Sequence, residues 1–420
     1  MKNIVVIGGG FAGVNFVNEL SRDQDFSITI VDRNNYNFFP PLLYQIATGY
    51  LEVANICLPF RRMFQGKRNV RFRLGEVLRV DPERNTIFLS TGTLTYDCLV
   101  LATGTETNYF GMENIKANAR PMKTLHDAIE LRNHILYQME LAALQMPLAG
   151  EANINIVVAG GGPTGVEISG MLARMRDVIL PKDYPELIAA NVKASIYLVD
   201  GGDAVLKPMS VASQRDTLRS LTAMGVEVLF GMQVKDYFEG KVVFADGQVI
   251  RSNTLIWATG VTGIQLEGIP QGCYTRGMRL STDAFNKVEG ISNIYAIGDA
   301  CIQFHEQHFP NGHPQLAQVA IQQGKRLGKN FRALKKGKVI VPFSYNDKGS
   351  MAMIGRSSAV VDLPRGTHFS GFFAWVTWLF VHLISLQSGK NKFTTFYNWT
   401  VSYFTRDQSL RMIIRKTPKP

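Results

Sequence analysis

Short runs of consecutive apolar residues recur along the chain, and each ends in glycine or in an aspartate. The runs that end at Ile7 and Ala159 lead into glycine clusters spaced G-x-G-x-x-G, and the runs that end at Val31 and Val199 are each followed by aspartate. Continuous apolar runs bounded by turn residues are typical of buried parallel strands. The pattern therefore predicts an α/β fold in which a Rossmann-type unit occurs twice.

The first glycine cluster has the residue types that the pyrophosphate of a dinucleotide needs. Gly8 permits a tight turn, Gly10 lets the backbone approach a phosphate, and Gly13 lets the helix pack on the strand. Asp32, about 20 residues further on, is placed to accept hydrogen bonds from a ribose. Two such units imply two dinucleotides, and we expect a bound flavin in the first and a visiting nicotinamide nucleotide in the second.

The second cluster repeats this arrangement with Gly160, Gly162 and Gly165 and with Asp200 at the end of the next strand. An acid there hydrogen-bonds ribose hydroxyls and repels a 2′-phosphate, which favours NADH over NADPH. Glu167, early on the second predicted helix, has two interpretations. It is either stabilised by the helix dipole, or it lies near the nicotinamide and the flavin, where it holds the nicotinamide or relays protons.

Small-residue turns follow further buried strands and support a duplicated architecture. Ala102-Thr103-Gly104 and Ala258-Thr259-Gly260 each end such a strand, and each comes after one of the glycine clusters. Another strand ends in Gly298-Asp299, and in a flavin fold that acid is placed to bind the ribityl chain. The amides of Gln318 and Gln322 share one face of the helix predicted over the following residues. They suit hydrogen bonds to a quinone carbonyl, and a solvated face is the alternative.

Charge is concentrated at the C-terminal end. Of the net charge of +11, the residues from Pro364 onward carry +7, with eight Lys or Arg and one acid, Asp407. The body of the chain has no basic stripe interleaved with aromatics, which argues against nucleic acid as a partner. The four cysteines form no close pair, so we expect reduced thiols in a cytosolic environment and no disulfide framework. No metal site is expected.

Two aromatic segments precede the C-terminus. Residues 369–388 carry no charge unless His382 is protonated, and a helix of this length would be ~30 Å long, just enough to span a bilayer. Polar residues dilute its apolarity, and residues 393–404 form a second aromatic segment with a basic edge at Arg406, Arg411, Arg415, Lys416 and Lys419. We therefore expect attachment to an anionic bilayer surface rather than a span. A dimerisation patch is the alternative.

The chain resembles, over essentially its whole length, the type II NADH:quinone oxidoreductases. The most specific match is Ala317–Gly324, which is similar to the family's quinone-site sequence A-Q-x-A-x-Q-x-G. Asp200 is a departure, because the family often has Glu there, and it weakens a claim of strict NADH selectivity. The other matching segments are Gly8–Gly13, Pro41–Gly49, Gly160–Glu167 and Tyr295–Asp299.

The resemblance implies electron transfer from NADH through non-covalent FAD to a membrane quinone (menaquinone or ubiquinone), without proton pumping, at the cytoplasmic face of the membrane. We expect a homodimer with an FAD domain (1–150 and 268–345), an NADH domain (151–267) and a membrane-anchoring region (346–420). The expected FAD residues are Gly8, Gly10, Phe11, Ala12, Gly13, Asp32, Arg33, Gln45, Thr48, Val77, Ala102, Thr103, Gly104, Gly298, Asp299 and Ala317. The expected NADH residues are Gly161, Gly162, Pro163, Thr164, Glu167, Asp200 and Gly260. The expected quinone residues are Gln318, Gln322 and His382, and the expected catalytic residues are Glu167, Gln318 and Gln322.

Four other classes remain as alternatives. Disulfide reductases and sulfide:quinone reductases need a redox cysteine pair, which Cys57, Cys98, Cys273 and Cys301 do not obviously supply. Soluble reductases of protein acceptors would not need the aromatic C-terminal segments. An NADH-binding redox sensor would show negligible turnover with every acceptor.

Overall fold

The computed structural model describes residues 1–145, 153–405 and 410–414. The chain forms two compact units, and each is assembled from three separate segments. The first unit comprises Met1–Phe38, Leu58–Glu106 and Val261–Asp347. The second comprises Phe39–Cys57, Thr107–Gly260 and Lys348–Pro420. These segments group the chain by packing, whereas the predicted domain boundaries group it by cofactor, and those boundaries stay a prediction.

A five-stranded parallel sheet forms the centre of the first unit. Its central strand is the apolar run before the first glycine cluster, and Ile4 and Val6 on this strand are fully buried. Apolar residues bury both faces of such a sheet, which explains why its strands are apolar throughout. The strand order is Ile294–Ala296, Cys98–Leu101, Lys2–Ile7, Phe26–Asp32, Val70–Leu74.

Two helices of the first unit cross at very short range. On Ala317–Lys335, a Cβ added to Gly324 would lie 2.3 Å from the carbonyl oxygen of Ala12, on the helix Phe11–Leu20. Further along the same crossing, Phe16 meets Phe331 edge to face with ring centroids 5.5 Å apart. The last residue of the motif similar to A-Q-x-A-x-Q-x-G is therefore glycine because the facing backbone leaves no room for a side chain.

The remaining elements of the first unit are short and lie around this sheet and helix pair. The strands Cys57–Pro59 and Thr105–Thr107 occur where the chain passes from one unit to the other. The other strands are Tyr36–Phe38, Val77–Asp81, Thr86–Leu89, Gly92–Thr95, Val261–Gly263, Tyr274–Thr275, Arg279–Ser281 and Cys301–Ile302, and the short helices are Phe60–Met63, Gln271–Cys273, Arg276–Met278 and Gly298–Ala300.

The second unit repeats the parallel sheet with the same number of strands. Its central strand is again the apolar run before a glycine cluster, and it pairs on one side with the strand that ends at Asp200. The predicted duplication of the Rossmann-type unit is therefore seen in the sheet topology. The strand order is Arg120–Pro121, Thr254–Trp257, Asn153–Ala159, Lys193–Asp200, Val226–Phe230.

The other elements of the second unit include an antiparallel hairpin whose turn contains Asp246 and Gly247. Its strands outside the parallel sheet are Val234–Phe238, Lys241–Phe244, Val249–Arg251, Ser350–Gly355, Ser358–Asp362 and His368–Gly371. Its helices are Pro40–Leu42, Leu43–Ala47, Val53–Ile56, Glu113–Asn118, Leu125–Gln145, Pro163–Arg174, Met175–Ile179, Leu180–Asp183, Pro185–Ala189, Val211–Ala223, Phe372–Ser385 and Gly389–Thr405.

The C-terminal segments form two helices, Phe372–Ser385 and Gly389–Thr405, after a three-stranded antiparallel sheet. The uncharged stretch that begins at residue 369 does not form one helix of 20 residues. Its first residues, up to Gly371, belong to the strand His368–Gly371. Gly371 has a φ of 78°, and the helix begins at the next residue. The helix ends before Leu386, where the backbone is extended. Within residues 1–145, 153–405 and 410–414, no helix is long and apolar enough to cross a membrane.

We predict that Gly324→Ala destabilises the protein by about 1–3 kcal/mol, because the new methyl group collides with the Ala12 carbonyl. The destabilisation occurs although alanine favours helix more than glycine does. Gly272→Ala is the matched control, since a Cβ there meets nothing within 4 Å. Denaturant unfolding of the two variants measures the difference, and equal stabilities would contradict the proposed reason for the glycine.

Candidate functional site

The first glycine turn leaves no room for side chains where strand and helix meet. Gly8 has a φ of 99°, and a Cβ there would lie 2.3 Å from the Ala102 carbonyl oxygen. A Cβ on Gly13 would lie 2.0 Å from the carbonyl oxygen of Gly8. A Cβ on Gly10 would meet nothing within 4 Å, so open space lies beside the start of the helix Phe11–Leu20. This cradle fits a pyrophosphate bound by backbone N–H groups and the helix dipole.

Asp32 ties the end of the next strand to this turn. Its carboxylate accepts the backbone N–H groups of Gly9 and Asn34, both at 2.7 Å. Burial raises the pKa of Asp32, because the surroundings disfavour its charge, and these two hydrogen bonds oppose that shift. A carboxylate can accept more than two hydrogen bonds, so Asp32 retains the capacity to bind a ribose hydroxyl.

The second glycine turn reproduces this geometry closely. Gly160 has a φ of 115°, and a Cβ on Gly165 would lie 1.8 Å from its carbonyl oxygen. A Cβ on Gly162 would again meet nothing within 4 Å. The Asp200 carboxylate accepts the N–H of Gly161 at 2.5 Å, as Asp32 accepts that of Gly9. The structure therefore contains two equivalent dinucleotide cradles, each closed by an aspartate.

The predicted FAD residues of the first unit converge near its glycine turn. A Cβ on Gly298, which has a φ of 72°, would lie 3.0 Å from the Cβ of Ala12. The Gly298 N–H donates to the buried amide oxygen of Gln323 at 2.7 Å. Gln323 therefore positions the Gly298–Ala300 turn. Gln318 and Gln322 are the predicted quinone residues of this segment. Gln323 lies in the same segment but is not among the predicted site residues.

The amide of Gln322 is engaged within the first unit. Its nitrogen donates to the backbone carbonyl of Asn346 at 2.9 Å, and its oxygen accepts the Asn346 N–H at 3.0 Å. One N–H and one lone pair remain for a ligand. Its role at a quinone stays a prediction, and so does that of Gln318, in the first turn of the same helix.

Other predicted contacts lie in turns and at element starts. Gly104 has a φ of 68° and Gly260 a φ of 73°, so both Ala-Thr-Gly turns use the left-handed conformation that favours glycine. Pro163 and Thr164 begin the helix after the second glycine cluster. Arg33 is exposed after its strand. The ligand contacts of these residues, and those of Phe11, Val77, Thr103, Asp299 and Ala317, stay predictions.

Glu167 is buried in the second unit, on the helix Pro163–Arg174. Its Oε1 accepts the backbone N–H of Met353 at 3.3 Å. Burial raises the pKa of Glu167 to about 8, because the charged form is desolvated, and the Met353 N–H opposes that shift. The carboxyl group is therefore protonated at neutral pH. A carboxylate that only balances a helix dipole would be ionised, so burial argues against that interpretation, and the proton-carrying role of Glu167 stays a prediction.

A chain of buried polar groups lies near Glu167 in the same unit. The Trp399 indole N–H donates to the Gln45 side-chain oxygen at 2.8 Å, and the Gln45 nitrogen donates to the Tyr44 hydroxyl at 3.2 Å. Burial and the nearby Glu167 raise the pKa of Tyr44 well above its usual range. The Thr48 hydroxyl donates to the Tyr44 carbonyl at 2.8 Å. Gln45 and Thr48 thus have structural roles, and their contacts with FAD stay predictions.

His382 is packed among aromatic rings and is held uncharged. Its Nδ1 lies 2.8 Å from the Trp378 carbonyl oxygen, and its ring stacks on Trp378 with centroids 3.8 Å apart. The Phe39 ring meets the His382 ring edge to face, with centroids 6.0 Å apart. Burial lowers the pKa of His382 to about 4, so the segment 369–388 is uncharged at neutral pH. A quinone contact of His382 stays a prediction.

The interpretation of the C-terminal aromatics as interface groups is wrong for Trp378 and Trp399. Trp378 is fully buried and Trp399 is 6 % exposed, because each occupies the inward face of its helix. Aromatic composition alone does not distinguish these two residues from the exposed ones on the opposite face, so the burial of Trp378 and Trp399 could not be predicted from the sequence.

Comparison with known families agrees with this geometry. Residues 2–324 match the family model of pyridine nucleotide-disulphide oxidoreductases, and residues 348–407 match the NDH2 C-terminal domain. Two nucleotide-binding units with one such C-terminal region define a flavoprotein of the pyridine nucleotide-disulphide oxidoreductase class.

Curated relatives narrow the assignment. A type II NADH:quinone oxidoreductase of Mycobacterium tuberculosis is 33% identical over 419 residues, which cover 96% of this chain and 88% of that protein. One from Haemophilus influenzae is 26% identical and covers 87% of this chain and 88% of its own length. The chain therefore belongs to the type II NADH:quinone oxidoreductases.

Solved structures show the same fold. NDH2 from Plasmodium falciparum, determined in complex with NADH, has a TM-score of 0.88 at 22% identity, covering 99% of this chain and 100% of that one. The sulfide:quinone oxidoreductase of Aquifex aeolicus has a TM-score of 0.72 at 18% identity, covering 97% and 96%. The fold is thus shared with quinone reductases of different electron donors, and it is the family membership that separates them.

Family membership confirms several predictions made from the sequence. The family, the α/β fold class with C-terminal helices, and the NADH:quinone oxidoreductase activity are confirmed, as are FAD and NADH as cofactors and a quinone as acceptor. The membrane surface, its cytoplasmic face, the homodimer, the domain boundaries and the roles of single residues stay predictions.

We predict that Asp200→Asn reduces the ratio of kcat/KM for NADH to that for NADPH by about tenfold or more. The substitution removes the charge that repels a 2′-phosphate and weakens the acceptor for the ribose, and a hydrogen bond to a charged group contributes about 1.5–3 kcal/mol. Asp203→Asn is the control, because this exposed acid lies after the same strand and forms an ion pair with Lys207 at 2.8 Å. An unchanged ratio would remove Asp200 from the nucleotide site.

Proposed function

We propose that the protein binds the anionic surface on the cytoplasmic side of the membrane. There it oxidises NADH and reduces a membrane quinone, without pumping protons. The single observation that carries the proposal is the pair of equivalent glycine cradles, closed by Asp32 and Asp200. One chain with two such cradles accommodates two dinucleotides, as transfer of electrons from one dinucleotide to another requires.

FAD, when bound, accepts two electrons as hydride from NADH and returns them to a quinone. In the first unit, the open space beside Gly10 would receive its pyrophosphate, and Asp32 would bind its ribose. In the second unit, Gly162 and Asp200 would hold NADH in the same way. The protein residues need no covalent bond to substrate, since they bind and orient both nucleotides.

Reduction of a quinone to a quinol consumes two protons, and Glu167 is the buried group suited to supply one. Its carboxyl group retains a proton up to a pH of about 8. Gln318 and Gln322 would orient the quinone. Gln322 would use the N–H and the oxygen lone pair that its hydrogen bonds to Asn346 leave available. Because the Glu167 proton is held in an apolar setting, it can transfer to a reduced quinone oxygen without prior desolvation of an ionised acid.

Both C-terminal helices expose an apolar stripe. On Phe372–Ser385 the exposed side chains recur at three- and four-residue spacing, and the same holds for Gly389–Thr405. Stripes of this kind lie flat at the boundary of lipid headgroups and acyl chains. The exposed residues are Phe372, Phe373, Val376, Phe380 and Ile384 on the first helix and Phe393, Phe396, Tyr397, Val401 and Phe404 on the second.

Charge near these stripes supports an anionic surface. Lys390 is exposed at the start of the second helix, next to the apolar stripe. Arg411 forms an ion pair with Asp183 at 2.5 Å, so it contributes less to lipid binding than a free cation would. The predicted basic residues Arg406, Arg415, Lys416 and Lys419 lie outside the described residues. The homodimer is also proposed, and an interface on the same stripes would compete with lipid.

Steady-state NADH oxidation by the FAD-loaded protein on lipid vesicles tests the function. We expect turnover that depends on a ubiquinone or menaquinone analogue in the vesicles and that does not respond to sulfide as an electron donor. Turnover with sulfide but not with NADH would instead support the chemistry of the Aquifex aeolicus structural neighbour. Negligible turnover with every acceptor would support a redox sensor.

We predict that Glu167→Gln lowers quinone-dependent turnover at pH 6.5 by about 10²-fold or more, because a general acid contributes 10²–10⁴-fold. Wild-type turnover should fall as the pH rises through about 8, where the carboxyl group loses its proton, and the variant should lose that dependence. Glu186→Gln, on an exposed side chain, is the control. Normal turnover with the wild-type pH profile in Glu167→Gln would exclude the proton-carrying role.

We predict that the double variant Phe373→Glu and Phe404→Glu binds anionic vesicles more weakly by at least about 100-fold, since each Phe loses about 1.5–3 kcal/mol of burial. Both side chains are 78% exposed. Vesicle co-sedimentation measures binding, and Phe238→Glu, on a hairpin of the same unit, is the control. Unchanged vesicle binding, with loss of a dimer in light scattering, would assign the stripes to dimerisation instead.

A further inference from the structure

The indole N–H of Trp378 is buried without a hydrogen-bond partner. Trp378 is fully buried on the helix Phe372–Ser385, and its Nε1 reaches no acceptor in the described structure. A buried donor without an acceptor is unfavourable and calls for an explanation. By contrast, the indole N–H of the neighbouring Trp399 is satisfied by Gln45 at 2.8 Å. The centroids of the Trp378 and Trp399 rings lie 5.8 Å apart. Of these two neighbouring donors, only that of Trp399 therefore has an acceptor.

The helix of Trp378 packs against the strand Ser350–Gly355, whose Met353 N–H binds the Glu167 carboxyl group. The Trp378 N–H lowers the pKa of Glu167, against the larger upward effect of burial, although its geometry falls short of a hydrogen bond. Glu167 has one backbone donor, the Met353 N–H, at 3.3 Å. An ionised carboxylate has room for further donors, whereas a protonated carboxyl group needs fewer. The orphaned N–H would therefore bind the ionised form of Glu167 more strongly than the protonated form, because hydrogen bonds to a charged acceptor are stronger.

The other elements packed around Glu167 contribute little charge. The helix Leu43–Ala47 presents the phenol of Tyr44, which stays protonated because its pKa lies well above the usual range. The strand Ser350–Gly355 has no ionisable side chain. The helix Val211–Ala223 uses Asp216 for contacts with Arg219, Ser370 and His368.

Two further groups lie on the elements nearest to Glu167. His382, behind Trp378, is uncharged because burial lowers its pKa to about 4. Arg174, two turns along the helix of Glu167, donates to the Tyr50 hydroxyl at 3.1 Å. Of the uncharged polar side chains around Glu167, Trp378 is thus the one whose buried donor has no partner in the described structure, whereas the Tyr44 hydroxyl contacts Gln45 and Met353.

We propose that Trp378 is a positioning residue for Glu167, and that its indole N–H becomes the second donor to the carboxylate once Glu167 has given up its proton. When the proton moves from the Glu167 oxygen to a reduced quinone oxygen, the Met353 and Trp378 N–H groups hold the negative charge that remains. The step deepens the proposed function, since its effect on turnover rests on the proton-carrying role of Glu167. The hydrogen bond itself does not depend on that role.

Infrared spectroscopy of the FAD-loaded protein tests the hydrogen bond without turnover. The C=O stretch of the protonated Glu167 carboxyl group, identified as the band lost in Glu167→Gln, is titrated with pH. We expect a wild-type midpoint near 8 and a midpoint higher by about one pH unit in Trp378→Phe, which keeps an aromatic ring but lacks the donor. Trp399→Phe, which removes the donor to Gln45, should titrate as the wild type does.

A second measurement avoids dependence on the folding of Trp378→Phe. Ultraviolet resonance Raman spectra of the wild-type protein report hydrogen bonding at indole N–H groups. We expect one of the four tryptophans to gain a hydrogen bond with the same midpoint as the carboxyl titration, and Glu167→Gln to abolish that change. An indole signal that does not change with pH would overturn the proposal. A Trp378→Phe midpoint equal to that of the wild type would also overturn it, and so would an equal shift of the midpoint in Trp399→Phe.

The outcomes separate this inference from the proposed function. Normal turnover in Glu167→Gln, together with a shifted carboxyl midpoint in Trp378→Phe, would exclude the catalytic role of Glu167 and retain the hydrogen bond. A turnover that depends on Glu167, together with an unshifted midpoint, would retain the catalytic role and exclude Trp378 as its positioning residue.

Discussion

The close approach of backbone to backbone at the two glycine turns is the constraint on which the nucleotide sites depend. A Cβ on Gly13 or on Gly165 would lie 2.0 or 1.8 Å from a carbonyl oxygen of its own turn. Only glycine allows each helix to begin so close to the strand, and this places the helix N-terminus beside the open space at Gly10 or Gly162. The aspartate at the end of the next strand then fastens the turn through a backbone N–H, so that the same group can bind a ribose.

Much of the fold followed from local patterns in the sequence. The apolar strands and the two glycine turns are predictable, because their signals lie within a few neighbouring residues. The uncharged C-terminal stretch is long enough for one helix of 20 residues, whereas the helix in the structure begins only after Gly371, which has a left-handed conformation. A glycine near the start of an apolar run does not by itself show that the residues before it belong to an antiparallel strand.

The surroundings of Glu167 could not be predicted, because they are assembled from positions far apart in the chain. Met353, Trp378 and Tyr44 come from three segments whose compositions suggested core packing or a membrane surface. Which face of an aromatic helix is buried depends on the elements it meets, and those contacts are long-range. The buried carboxyl group also connects the C-terminal helices to the nucleotide-binding unit, so these helices shape the chemistry as well as presenting an apolar surface.

Anaerobic reduction of the FAD-loaded protein by NADH, followed by addition of a quinone analogue, tests the central claim most directly. The claim is that one cradle keeps a flavin while the other admits NADH, and that the electrons leave on a quinone. The flavin absorbance should bleach rapidly with NADH and recover when quinone is added. Bleaching without recovery would contradict the assignment of a quinone as acceptor, and absence of bleaching would contradict the pairing of the two nucleotide sites.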